Sequence, residues 1–102
     1  MRNLQNGPLS SAIHHLRKAS TCLGSGYPDL DDAYQHTHVA VVSLGDATRD
    51  PHNYGNLQHA HDLLCFHMSQ PRSLQYAYYL WIAVSAALAL LGAQQAAHQP
   101  QE

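Results

Sequence analysis

Charge is what this chain has least of. Asp, Glu, Lys and Arg together make up 12% of its 102 residues, about half the usual share. Glu102 is the only glutamate and Lys18 the only lysine. A bundle with a carboxylate-bridged metal pair draws on several glutamates and on Glu-x-x-His turns, and the HExxH motif needs a glutamate as general base. Neither can be assembled here. The remaining bases, Arg2, Arg17, Arg49 and Arg72, are scattered, and the net charge is −2. Nucleic-acid binding needs clustered bases to neutralise phosphates, so the sequence predicts no nucleic-acid partner.

Cysteine is scarce too. Cys22 and Cys65 make neither a disulfide framework nor a CxxC motif. The opening "MRNLQNGPLSS" has no apolar run after its arginine, which predicts no secretory signal. Reduced thiols and a cytoplasmic location are the expectation. No GxxxxGK[ST] loop and no GxGxxG fingerprint is present. Cys65 and His61 could in principle pair as nucleophile and base, but they share one helix and frame no oxyanion site. No catalytic residue is assigned, and the chain is expected not to be an enzyme.

What the chain does contain is apolar residues, 45% of the total, in four segments with helical signals. The expected fold is all-α: one domain over residues 1–102, a compact bundle of about four helices at 8–23, 29–44, 56–69 and 73–98. In the first, Leu9, Ile13, Leu16, Ser20 and Leu23 recur at helical spacing, with Ser10 or Ser11 as cap and "GSG" at 24–26 as stop. In the second, Asp29 or Asp31 can cap, and Leu30, Tyr34, Thr37, Val41 and Leu44 make a stripe. The β-branched run in "THVAVVSL" leaves a strand as the alternative over 36–44. Residues 45–56 read as a loop. The third stripe is Leu57, His61, Leu64 and Met68, and Pro71 breaks the chain after it.

The fourth segment begins at Ser73 and carries no charge from Tyr76 to Ala93. A helix apolar all round is central in a bundle, at a subunit interface or in a membrane. The three stripes before it need covering, so this helix is expected to be the most buried, with Leu88 on its core face near Leu74 and Trp81. A tail-anchored membrane protein inserted through 76–93 is a lesser alternative, because the stretch only approaches the roughly 20 residues of a span. Ala83 and Ala87, four residues apart, are the candidate self-association contact, since small side chains let helices approach closely.

Nine histidines are the other conspicuous feature. "LQHAHDLLCFH" holds three of them with a cysteine, and "HTH" holds two more. His61 and Cys65 are one turn apart and share a face, as two ligands of one metal ion would. His36 and His38 project about 200° apart on a helix, as do His59 and His61. The histidines are therefore dispersed and no cofactor is expected, with His61 as a core histidine and Cys65 as a small buried residue. The alternative is a zinc or other transition-metal bundle using His61, Cys65, His36 and His38, with His15 as a further source of a ligand.

Aromatic residues crowd the start of the fourth segment. Phe66, Tyr76 and Tyr79 flank the Pro71 turn and are expected to form one partner-binding patch, because Tyr offers large contact area with a polar tip. Low charge protects a surface poorly against association. The function expected is a small non-enzymatic protein-interaction module, a regulator or inhibitor that acts by binding another protein's surface, and a homo-oligomer.

Overall fold

The computed structural model describes residues 7–25, 29–49 and 54–98. They form four helices: α1 (Gly7–Leu23), α2 (Leu30–Ala47), α3 (Tyr54–Met68) and α4 (Leu74–His98). The expected all-α bundle is what is found. Among the described residues no strand occurs. The strand alternative over 36–44 therefore fails. Ala33, Tyr34, Thr37, Ala40, Leu44 and Ala47 are buried at helical spacing. Thr37, fully buried, donates its hydroxyl to the Ala33 carbonyl at 2.7 Å, so it brings no unpaired group into the core.

Local chemistry sets the helix ends. Asp29 caps α2, its side chain accepting from the Asp32 N–H at 3.1 Å, and Asp31 and Asp32 lie in the first turn where the helix dipole favours acids. Ser73 caps α4 by accepting from the Tyr76 N–H at 3.2 Å. Helix α1 starts earlier than its serines suggest: Ser10 is exposed within the helix, and Ser11 instead meets the Ser43 hydroxyl of α2 at 3.2 Å. Helix α2 runs on to Ala47 and α3 begins at Tyr54, so the predicted loop shrinks at both ends. Its residues 50–53, like Gly26, lie outside the described residues.

Contacts between helices fix an up-down-up-down order. Near its start α1 meets the end of α2 through Ser11 and Ser43. His61 of α3 lies against Gly45, near the end of α2, and Asn56 of α3 reaches Gln94 of α4. The ring closes where Trp81 of α4 donates its indole N–H to the Ser20 hydroxyl of α1 at 3.3 Å. The indole packs so closely that a Cβ on Gly24 would stand 3.2 Å from it, so this position favours glycine. Across the same end, Arg72 pairs with Asp31 at 3.0 Å and lies over the Tyr34 ring at 4.6 Å.

The core is built of leucine and alanine. Leu9, Leu16, Leu44, Leu57, Leu64, Leu80 and Leu91 are wholly buried, each contributing roughly 1.5–3 kcal/mol of transfer free energy. Between them stand Ala12, Ala19, Ala33, Ala40, Ala60, Ala77, Ala83 and Ala87, also buried. In a ring of four helices none is central. Helix α4, expected to be the most buried, is buried along one face like the other three: Ala77, Leu80, Ala83, Val84, Ala87 and Leu91 point inward, with Leu88 and Leu90 partly buried beside them.

Candidate functional site: the outer face of helix four

The inward residues of α4 fix the direction of all the others. Rotating half a turn away at 100° per residue gives Leu74, Gln75, Tyr78, Ile82, Ser85, Ala86, Ala89, Ala93 and Ala96, and every one of these is exposed. Leu74, Tyr78 and Ile82 are 68%, 58% and 50% accessible. Solvent normally meets polar residues on such a face, yet this one carries no charge along its length. It is bulky at its N-terminal end and flat at its C-terminal end, where only Ser and Ala project.

This orientation corrects three expectations. Leu74 lies on the open side, Trp81 lies on the flank that packs against α1, and Leu88 is only partly buried against the core. Ala83 and Ala87 are buried within the chain, at 2% and 0%. Their small side chains admit the bundle's own helices and are closed to a second copy. The partner-binding trio is divided: Tyr76 and Tyr79 face each other with ring centroids 6.4 Å apart, and Tyr79 also meets Tyr78 at 5.8 Å, whereas Phe66, 61% exposed, makes its ring contact with His67. Tyr78, 58% exposed, belongs to the same aromatic edge as Tyr79. The signal missed in the sequence was the alanine-leucine alternation of the inward face.

The histidines are also rearranged. His61 is not a core residue: Ala60 takes the inward position, and His61 is half-buried beside Asp62 at 3.3 Å. The Cys65 sulfur lies 3.8–3.9 Å from both nitrogens of His61, but Cys65 is exposed, not a small buried residue. Burial in the first place, then Asp62, raises the Cys65 thiol pKa; burial, then Asp32 and Asp29, does the same for Cys22. Both therefore stay protonated near neutrality. His38 is exposed, and His36 turns toward α1. Among the described residues no group of three or more His, Cys, Asp or Glu converges, so His61, Cys65, His36 and His38 are not brought together.

One histidine pair does meet across helices. His15 of α1 and His36 of α2 meet end to end, with Nδ1 atoms 3.0 Å apart, ring centroids 5.2 Å apart and ring planes inclined at 27°. One Nδ1–H donates to the other ring's bare Nδ1. His14 stands edge-on to His15, with centroids 5.2 Å apart. Desolvation first, then His36, His14 and Lys18, lowers the His15 pKa below its ordinary value. Compared with protein-family models, curated proteins and solved structures, the chain finds no match.

The lowered pKa has a signed consequence. Unfolded, His15 takes its proton near pH 6.5; folded, it does so only at lower pH. Between those values the unfolded chain binds more protons, so stability is full above about pH 6.5 and declines as pH falls through it. The acid-sensitive group is thus His15. The loss of melting temperature between pH 7.5 and 5.5 should be smaller in His15→Gln than in the wild type. Equal losses in both would refute the assignment.

Proposed function

We infer that this chain is a small non-enzymatic interaction module that works by pairing the outer face of α4 with an apolar protein surface, and that a second copy of the chain is its immediate partner. The single observation behind the reading is the exposed, uncharged ridge of Leu74, Tyr78 and Ile82 running into Ser85, Ala86, Ala89 and Ala93. Apolar exposure in one continuous strip marks an interaction site in a way that scattered exposed residues do not.

The shape of the strip favours self-pairing. A two-fold axis places the same face of each copy against the other. If the two α4 helices run antiparallel, the bulky Leu74–Tyr78 end of one lies over the flat Ala89–Ala93 end of its partner. With no charge on either strip, nothing repels. A regulator or inhibitor of this kind would act by offering the same strip to another protein's apolar surface.

Light scattering after size exclusion, at micromolar concentration and without detergent, should find two chains per particle. Ile82→Glu or Ala89→Glu should each give a monomer with the helical circular dichroism of the wild type. A monomeric wild type would refute the pairing. The second reading is a membrane-bound α4, favoured by the 23 residues Leu74–Ala96, which are long and apolar enough to cross a bilayer while only 33% of their most apolar window is buried. It is weaker because insertion would withdraw Leu80, Val84 and Leu91 from α1 and α3. Under that reading the wild type co-floats with lipid vesicles and fails to stay in solution without detergent.

A further inference from the structure

The bond between His15 and His36 tolerates some protonation states and not others. Their Nδ1 atoms meet at 3.0 Å with ring centroids 5.2 Å apart, so the one hydrogen between them engages the Nδ1 of both rings. In the neutral pair the donor ring carries its proton on Nδ1 and leaves Nε2 bare, while the acceptor ring carries its proton on Nε2. A first added proton goes to the donor's bare Nε2. The Nδ1–H stays in place, and the bond becomes charge-assisted and stronger. A second added proton has no site left but the acceptor's Nδ1, whose lone pair is the bond itself. The bond is then lost, and two cations meet where one hydrogen was shared.

We propose that His15 and His36 form a proton switch at the seam between α1 and α2, closed with no added proton or with one, and opened by the second. The charges around the pair favour opening. His14 and Lys18 of α1 act on His15 together with His36 of α2, and in acid all of these are cations. Asp29 and Asp32 of α2 face the same seam nearer its other end, where they act on Cys22. Among the described residues neither they nor any charged group of α3 or α4 acts on His15 to offset those cations. Burial and its cationic neighbours hold the His15 pKa below its ordinary value, as befits the acceptor ring, so His15 takes the second proton. Both rings are half-buried at the outer edge of the seam, whereas Leu9, Leu16 and Leu44 remain wholly buried beneath it. The opening is therefore local: α1 and α2 loosen around the pair while the fold persists, which goes beyond a general loss of stability in acid. The neighbouring cross-helix bond, Ser11 to Ser43 at 3.2 Å, contains no group that titrates in this range and keeps that part of the seam closed.

The test is nuclear magnetic resonance of the tag-free full chain carrying isotope-labelled histidine. At pH 7.5 a coupling transmitted across the hydrogen bond should join the two Nδ1 nuclei. As pH falls, that coupling should survive the first protonation step of the pair and vanish at the second, where His15 takes its proton. At the second step amide exchange, corrected for intrinsic rates, should quicken about threefold to tenfold in α1 and α2 beside the pair, the worth of one hydrogen bond, and stay unchanged in α3 and α4. His36→Gln should abolish both the coupling and the quickening, while His59→Gln leaves both as they are in the wild type. Should His36→Gln fold poorly, the wild-type coupling decides by itself. No coupling at pH 7.5, its loss at the first step, or equal quickening in all four helices would overturn the proposal.

Discussion

Leu80→Asp is expected to leave the chain unfolded at 25 °C, whereas Ile82→Asp, two residues along the same helix, is expected to keep its fold. Leu80 is wholly buried at the junction of α4 with the rest of the core. An aspartate there joins a cluster of apolar side chains, and it also forfeits the leucine's apolar contacts. The unpaired carboxylate costs several kcal/mol even after its pKa adjusts. A domain of this size has only about 5–15 kcal/mol of stability in all, and a core made so largely of alanine lies toward the lower end. Ile82 is half exposed, so the same carboxylate there remains in water. Circular dichroism on both variants reads the outcome. A folded Leu80→Asp, or equal loss in both, would mean that α4 is not seated on the face assigned to it.

The helices were legible in the sequence because stops and caps are local. Asp29 before α2, Ser73 before α4 and Pro71 between α3 and α4 each act within one turn of chain. Which way a helix faces is less local. In α1 the stripe of Leu9, Ile13 and Leu16 is bounded by polar residues, and it is buried as expected. In α3 the expected stripe passes through His61; Leu57 and Leu64 are buried as expected, but Ala60 lies inward between them and the imidazole reaches the rim. Alanine carries too little hydrophobic signal to compete with leucine in a pattern, yet it decides how close two helices come.

Helix α4 offered no direction at all. Apolar residues surround it, so periodicity supplies no phase, and the packing of α1 and α3 selects the face. Leu74 and Trp81 looked like core residues only because they are large. The His15–His36 pair was hidden for a related reason: the two residues are 21 positions apart, and only the register of α1 against α2 sets them opposite each other. The same register joins Ser11 to Ser43, and no local feature of either helix announces it.

Alanine spacing in α4 leads to the second large effect. Ala87→Leu is expected to destabilise the fold by about 1–3 kcal/mol, the usual cost of forcing extra methylenes into a packed core. For a chain of this length that lowers the melting temperature by roughly 4–8 °C per kcal/mol. Ala86→Leu, one residue away on the open face, is expected to leave the melting temperature of the monomeric Ile82→Glu background unchanged within a few degrees. The contrast depends on direction alone, since both substitutions replace alanine by leucine in the same turn and differ little in helix propensity. Had Ala87 faced a second copy, its leucine variant would weaken association and spare the isolated fold. A thermal melt of Ala87→Leu at several protein concentrations separates the two: a drop independent of concentration places the residue inside the bundle, and a drop that vanishes in the monomeric background would return Ala87 to the interface.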